Sequence, residues 1–120
     1  MNPLLFLVAV VAGGVGAALR YALDVAVSVL TGTRFPWGIL VVNVTGSFAL
    51  GLLVGIAPSG DLTWVLGSGL LGGYTTFSTV AVATALQLEE RRPRVALLNG
   101  AGTLVATVAA AALGLYLGGA

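Results

Sequence analysis

The chain has 120 residues, of which 58% are hydrophobic and only 8% are charged, and its formal net charge is +1. A soluble domain is about 25% charged, so this composition excludes an ordinary water-soluble fold and predicts an integral membrane protein. The sequence has no cysteine and no histidine, which excludes disulfides, thiolate chemistry and most transition-metal sites.

Four apolar segments follow one another along the chain, at residues 4–30, 37–56, 62–88 and 95–117. Each reaches the roughly 20 residues that a helix needs to cross about 30 Å of hydrocarbon. The connections are short, which favours antiparallel neighbours. We therefore predict an all-α membrane protein in which residues 1–120 form a single domain of four transmembrane helices.

Pairs of small residues four positions apart lie on three of these segments, and such pairs favour close helix contacts. They are Gly13/Ala17, Gly51/Gly55 and Gly114/Gly118. Four helices enclose little interior, so a route with protein on all sides requires more than one copy. We expect the chain to form oligomers.

The third segment contains the most informative motif, GGYTTFST at residues 72–79. Two glycines weaken a helix, and four hydroxyl residues follow in a stretch that is otherwise apolar. Non-helical backbone at membrane depth is tolerated only where protein buries it or where it lines a polar cavity. The motif predicts a helix that is broken at mid-membrane, with its second half starting near Thr76, and marks a functional site.

Polar residues on the neighbouring segments form stripes of amides and hydroxyls. Asn43 and Ser47 share one face of the second segment, and Asn99, Thr103 and Thr107 form one stripe on the fourth. Such groups donate hydrogen bonds, and no carboxylate lies deep among them, which favours an anion over a cation or a proton. Two simpler roles stay open: the hydroxyls can bond their own i−4 carbonyls, and Arg20 can extend to the interface.

The arginines suggest an orientation. One lies in the first connection and three in the third, whereas the second connection and both termini carry none; they are Arg34, Arg91, Arg92 and Arg94. The positive-inside rule then predicts that the first and third connections face the cytoplasm and that both termini lie outside.

Four motifs, taken together, resemble those of the Fluc (CrcB-type) fluoride channels. They are GGVGAALRY at 13–21, VNVTGSF at 42–48 with PWG just before it, GGYTTFST at 72–79 and ALLN at 96–99. They follow the order found in that family and span nearly the whole chain.

The resemblance implies a homodimer of four-helix subunits in antiparallel, dual-topology orientation, placed in the inner or plasma membrane. It implies a passive channel that exports fluoride and lowers its cytoplasmic concentration, with no nucleic-acid partner. It also implies a structural sodium ion held by the backbone carbonyls of Gly72 and Thr75. The pore residues that it implies are Asn43, Phe77, Ser78, Thr103 and Thr107, with Arg20 near the vestibule.

The chain departs from that family at Val80, where a second phenylalanine is usual. Each pore of the family uses one ring from each subunit, so Val80 leaves an alternative open. In that alternative, the chain is a non-conducting or weakly conducting subunit of a channel that also contains a homologous second chain. A small multidrug/proton antiporter has a similar size and topology, but it needs an acid in the membrane, and Asp24 lies towards a segment end. No nucleophile–base pair or metal cluster is present, so an enzyme is not expected.

Overall fold

The computed structural model describes residues 2–32 and 34–119, and no strand occurs among them. Helix α1 covers Pro3–Thr31 and α2 covers Trp37–Ile56. The next helical stretch, α3, is composite: Asp61–Trp64 leads into a π-helix at Val65–Leu71 and a last turn at Gly72–Tyr74. Two further helices complete the bundle, with α4 at Ser78–Glu89 and α5 at Pro93–Leu117.

Four spans within the described residues are long and apolar enough to cross a membrane: Pro3–Thr31, Trp37–Ile56, Asp61–Glu89 and Pro93–Leu117. This confirms the predicted all-α architecture with four membrane-spanning stretches, and their bounds differ from the predicted ones by at most two residues. The largest difference is at α5, which begins at Pro93. Proline fits the first helical position because the amide hydrogen that it lacks has no acceptor there.

Helices α2 and α5 approach each other through glycines. A Cβ on Gly55 would lie 2.9 Å from the carbonyl oxygen of Leu115, and one on Gly118 would lie 2.8 Å from that of Leu52. A Cβ on Gly114 would overlap the carbonyl oxygen of Phe48. Since only a hydrogen fits at these positions, the pairs Gly51/Gly55 and Gly114/Gly118 lie at a close contact between two helices of the same chain.

Helices α1 and α3 make a second close contact of the same kind. A Cβ on Gly73 would overlap the carbonyl oxygen of Gly13, and one on Gly16 would overlap that of Leu70. A Cβ on Gly69 would lie 2.8 Å from the carbonyl oxygen of Ala9. Helix α3 is therefore in direct backbone contact with α1 up to the point where its helical run ends.

The first and third connections lie at the same end of the bundle. Arg92 Nη2 donates a hydrogen bond of 3.0 Å to the carbonyl oxygen of Arg34. This agrees with antiparallel neighbours joined by short connections. It also gathers the arginine-bearing connections at one end. That this end faces the cytoplasm stays a prediction.

Substituting Gly114→Ala should lower the melting temperature of the purified protein in detergent, since the new methyl group meets backbone atoms of α2 that cannot rotate away. Overpacking of this kind costs about 1–3 kcal/mol. The matched control is Gly102→Ala on the same helix, where a Cβ meets nothing within 4 Å. Equal melting temperatures for the two variants would contradict the close contact.

Candidate functional site

The helical run of the third span is interrupted between α3 and α4. Residue Thr75 has an extended backbone with φ −80° and ψ 156°, and α4 begins at Ser78. The second helical half thus starts two residues later than the predicted start near Thr76. The reason is that the backbone of Thr76 is paired with a side chain of α2 and not with the helix.

That side chain is Asn43, which is 5% exposed. Its Nδ2 donates to the carbonyl oxygen of Thr76 at 2.9 Å, and its Oδ1 accepts from the amide of Thr76 at 2.8 Å. One amide group therefore satisfies both backbone groups of Thr76, as a neighbouring strand would. The pair is important because an unpaired buried backbone group costs about as much as a lost hydrogen bond.

A second contact with α2 holds the chain just before the interruption. Tyr74 Oη lies 2.9 Å from Thr45 Oγ1, whose own proton is directed to the carbonyl oxygen of Val41 at 2.7 Å. The tyrosine is therefore the donor in this pair. Gly46 leaves the space for it, because a Cβ there would lie 3.0 Å from the Tyr74 ring.

A groove of about 270 Å³ lies beside the interruption, between α2, α5 and the start of α4. Its polar lining consists of amide, hydroxyl and backbone groups, and none of its lining residues is charged. The lining residues are Asn43, Ser47, Thr75, Thr76, Phe77, Val80, Gly100, Thr103, Leu104 and Thr107. The ring of Phe77 is 84% exposed, so the groove is open on that side.

Five of the predicted site residues line this groove: Asn43, Thr75, Phe77, Thr103 and Thr107. Three others do not. Ser78 lies on an exposed face of α4 beside Thr79, Gly72 is exposed at the end of α3, and Arg20 is half-buried on α1. The Nε of Arg20 is buried and has no hydrogen-bond partner among the described residues.

The three polar residues of the predicted stripe on α5 differ in their hydrogen bonds. Asn99 is 1% exposed and donates to Thr84 Oγ1 of α4 at 3.1 Å, so it joins two helices. Thr107 Oγ1 donates to the carbonyl oxygen of Thr103 at 2.7 Å, which is the ordinary back-bond of a helical threonine. Thr103 Oγ1 is buried without a partner among the described residues.

The sequence placed Ser47 on one face of the second segment with Asn43 without naming it as a pore residue, and Ser47 lines the groove one turn after Asn43. One feature of the site was missed. Tyr74 pairs with Thr45, a contact between residues 29 positions apart that no local pattern predicts.

Acidic groups lie away from the groove. Asp24 Oδ1 on α1 accepts from Ser28 Oγ at 3.4 Å and lies against Gly38 of α2. Within residues 2–32 and 34–119, no three His, Cys, Asp or Glu side chains come together in a cluster that could hold a metal ion. The groove therefore offers hydrogen bonds and backbone carbonyls, and its lining side chains offer no titratable group.

The fold and the groove together define a class: a small multi-pass helical membrane protein with a neutral polar groove beside an interrupted span. The chain belongs to the CrcB-like family. The family model described as "CrcB-like protein, Camphor Resistance (CrcB)" matches residues 7–115.

Curated relatives carry a more specific name. The chain is 43% identical over 123 aligned positions to the "Fluoride-specific ion channel FluC 1" of Leifsonia xyli subsp. xyli, covering 99% of this chain and 90% of the relative. It is 46% identical to the protein of the same name from Rubrobacter xylanophilus, covering 97% and 89%. It is 40% identical to the "Fluoride-specific ion channel FluC" of Novosphingobium aromaticivorans, covering 89% and 90%.

Substituting Asn43→Leu should speed hydrogen exchange at the Thr76 amide, because leucine is similar in size but cannot bond that backbone. Removing one partner of a buried hydrogen bond costs about 1–3 kcal/mol, which corresponds to exchange that is about 5- to 150-fold faster if that bond limits opening. The measurement is exchange detected by NMR or mass spectrometry in micelles. Asn99→Leu is the control, since Asn99 bonds Thr84 instead. If the Thr76 amide exchanges as slowly in both variants as in the unmodified chain, the assigned role of Asn43 is wrong.

Proposed function

We propose that this protein is a fluoride-selective ion channel that lets fluoride leave the cytoplasm passively and so lowers its concentration there. The observation that carries the proposal is the groove at the interrupted span, whose polar lining is made of neutral groups that can donate hydrogen bonds. The names of the relatives, "Fluoride-specific ion channel", support the same ion. We place the channel in the inner or plasma membrane, where export from the cytoplasm takes place.

The physical argument is that fluoride is small and strongly hydrated, so close donors must replace its water along the route. Fixed positive charge deep in the pore would bind the ion too tightly, whereas conduction needs several weak sites. Amide and hydroxyl groups provide such sites. Arg20 on α1, outside the groove, carries a positive charge that raises the local anion concentration near a vestibule.

A cation/proton antiporter is disfavoured by the same lining. Such a transporter needs a titratable acid within its binding site, and none of the residues that line the groove is acidic. Asp24 is on α1 and is bonded to Ser28. An enzyme is disfavoured as well, since the relatives are named as channels and the groove combines no nucleophile with a base.

The route that we propose uses the groove and the face next to it. Asn43, Phe77, Thr103 and Thr107 line it within one subunit, and Ser78 extends it along the exposed face of α4. The interruption lies near mid-membrane in this proposal, because Thr75 is 14 residues after Asp61 and Phe77 is 12 residues before Glu89. Polar backbone at that depth needs protein or a polar cavity around it.

That requirement also supports a dimer. The Phe77 ring is 84% exposed, and its neighbour Ser78 is exposed as well, in the middle of the span Asp61–Glu89. A second copy in antiparallel orientation would cover this face and close the groove on its open side. The dimer then has two pores, each completed by the partner subunit.

The end of α3 offers carbonyl oxygens for the sodium ion that we propose as a structural cofactor. The amide of Thr75 bonds Leu71 and that of Thr76 bonds Asn43. The carbonyl oxygen of Gly72 consequently accepts no hydrogen bond from the described residues, and the same is true of Thr75. Uncharged oxygens are ligands that hard cations use, so these two carbonyls fit the ion, which would supply positive charge that stabilises the dimer.

Reconstituted in liposomes loaded with fluoride, the purified chain should release fluoride and retain chloride under the same potential. A fluoride electrode measures the first rate and a chloride electrode the second. Equal rates for the two ions would contradict selectivity, and absence of fluoride release from the chain alone would contradict a channel built from one sequence.

Val80 favours a second candidate function, that of a partner subunit in a channel made of two homologous chains. It is 8% exposed and lines the groove, where an aliphatic side chain has no polarised ring edge to present to an anion. Val80→Phe decides between the two. A chain that is silent alone and conducts as Val80→Phe would establish the partner subunit, whereas a chain that conducts with Val80 does not need the second ring.

The dual-topology homodimer should show both orientations when the chain is expressed alone, because one sequence then has to supply both subunits. Accessibility of tags at the two termini, measured in intact cells, reports the orientation of each copy. A single orientation for every copy would exclude the antiparallel homodimer.

The structural sodium ion should stabilise the dimer, so the dimer fraction of the purified protein should fall when sodium is replaced by choline. A dimer fraction that does not depend on sodium would exclude the structural ion.

A further inference from the structure

Each hydroxyl in the groove has one proton to donate, and most of these protons are directed at acceptors within the protein. Thr75 Oγ1 donates to the carbonyl oxygen of Leu71 at 2.9 Å, and Thr107 Oγ1 donates to that of Thr103 at 2.7 Å. Thr76 Oγ1 donates to Thr79 Oγ1 at 3.2 Å. These three hydroxyls can still accept a hydrogen bond, but their protons are not free for an anion.

Two other hydroxyls of the groove keep their protons. Thr103 Oγ1 is buried, and the side chain is 8% exposed, yet it has no partner among residues 2–32 and 34–119. Ser47 Oγ, half-buried on α2, makes no hydrogen bond to the described part of the chain either. Both depart from the usual back-bond to the i−4 carbonyl, which Thr45 makes in the span of Ser47 and Thr107 makes in the span of Thr103.

One more donor completes the set. Asn43 Nδ2 has two protons, and the geometry assigns one of them to the carbonyl oxygen of Thr76. Asn43 and Ser47 are four positions apart on α2 and both line the groove, with Thr103 on α5 as a further lining residue. The free protons of the groove therefore come from two different helices.

We propose that Ser47 is a selectivity-determining residue of this channel and that it forms, with Thr103, the donor pair that an anion in the groove binds. The inference rests on the proposed fluoride function and deepens it. An unbonded proton attracts an anion, whereas a hydroxyl that has already donated presents only lone pairs, which repel one. Polarity alone therefore does not identify the residues that bind the ion, and Thr107 contributes less than Thr103.

The test is a set of hydroxyl deletions assayed by fluoride efflux from liposomes. Ser47→Ala and Thr103→Val should each lower the initial rate by about tenfold, as expected for losing a hydrogen bond to a charged group. Thr107→Val should lower it less than Thr103→Val. The matched control is Ser68→Ala, because Ser68 also lacks a hydrogen-bond partner in the described chain but lines grooves next to Trp64, away from Asn43.

Rescue separates a lost donor from a disturbed fold. Ser47→Thr restores the hydroxyl and should retain most of the fluoride efflux, whereas Ser47→Val, of the same shape as threonine, should not. Melting temperature and elution volume of each variant report folding. If the unmodified chain releases fluoride and Ser47→Ala does so as fast as Ser68→Ala, the role of Ser47 is wrong while the channel stands. If the unmodified chain releases no fluoride, the proposed function fails, and the inference fails with it.

Discussion

The polar backbone of residues 75–77 has to be satisfied inside an apolar span, and the rest of the site depends on how this is done. Where the helix ends, carbonyl and amide groups lose their intrahelical partners. Asn43 replaces them for Thr76 with two hydrogen bonds of 2.8 and 2.9 Å. The interruption is thus held against α2 in one conformation. A fixed backbone of this kind can present carbonyls on one side and a groove on the other.

Gly46 lets α2 come close enough for that pairing, because a Cβ there would overlap the side chain of Thr75. Other glycines hold α2 and α3 each against a further helix. α3 lies directly against the backbone of α1 through Gly69 and Gly73, and α2 lies against α5 through Gly51 and Gly114. Hydrophobic attraction between helices is weak among lipid tails, so close backbone packing carries much of the association. Helix α2, which carries Asn43, and helix α3, which ends just before the interruption, are consequently each held against another helix.

Hydropathy and the polar residues between the apolar segments were sufficient to predict the four spans, because apolar length is itself the physical requirement for crossing a bilayer. The glycine–hydroxyl motif predicted a break within the third span, because non-helical backbone inside an apolar run needs protein or a polar cavity around it. The π-helix at Val65–Leu71 was not predicted, because a change in hydrogen-bond register has no signature in composition. The two hydrogen bonds from the oxygen and the nitrogen of the Asn43 side-chain amide to Thr76 were not predicted either, because they join residues 33 positions apart.

The same limit applies to the hydroxyls, and it decides what kind of site the groove is. Thr103 and Thr107 look equivalent in the sequence, being four positions apart on one face. They differ because the Thr107 proton is directed to a backbone carbonyl and the Thr103 proton is not. That distinction depends on side-chain rotation, which sequence pattern does not encode. In the channel that we propose, recognition of an anion depends on the few unbonded protons of Ser47, Thr103 and Asn43, and it needs no charged side chain in the lining of the groove.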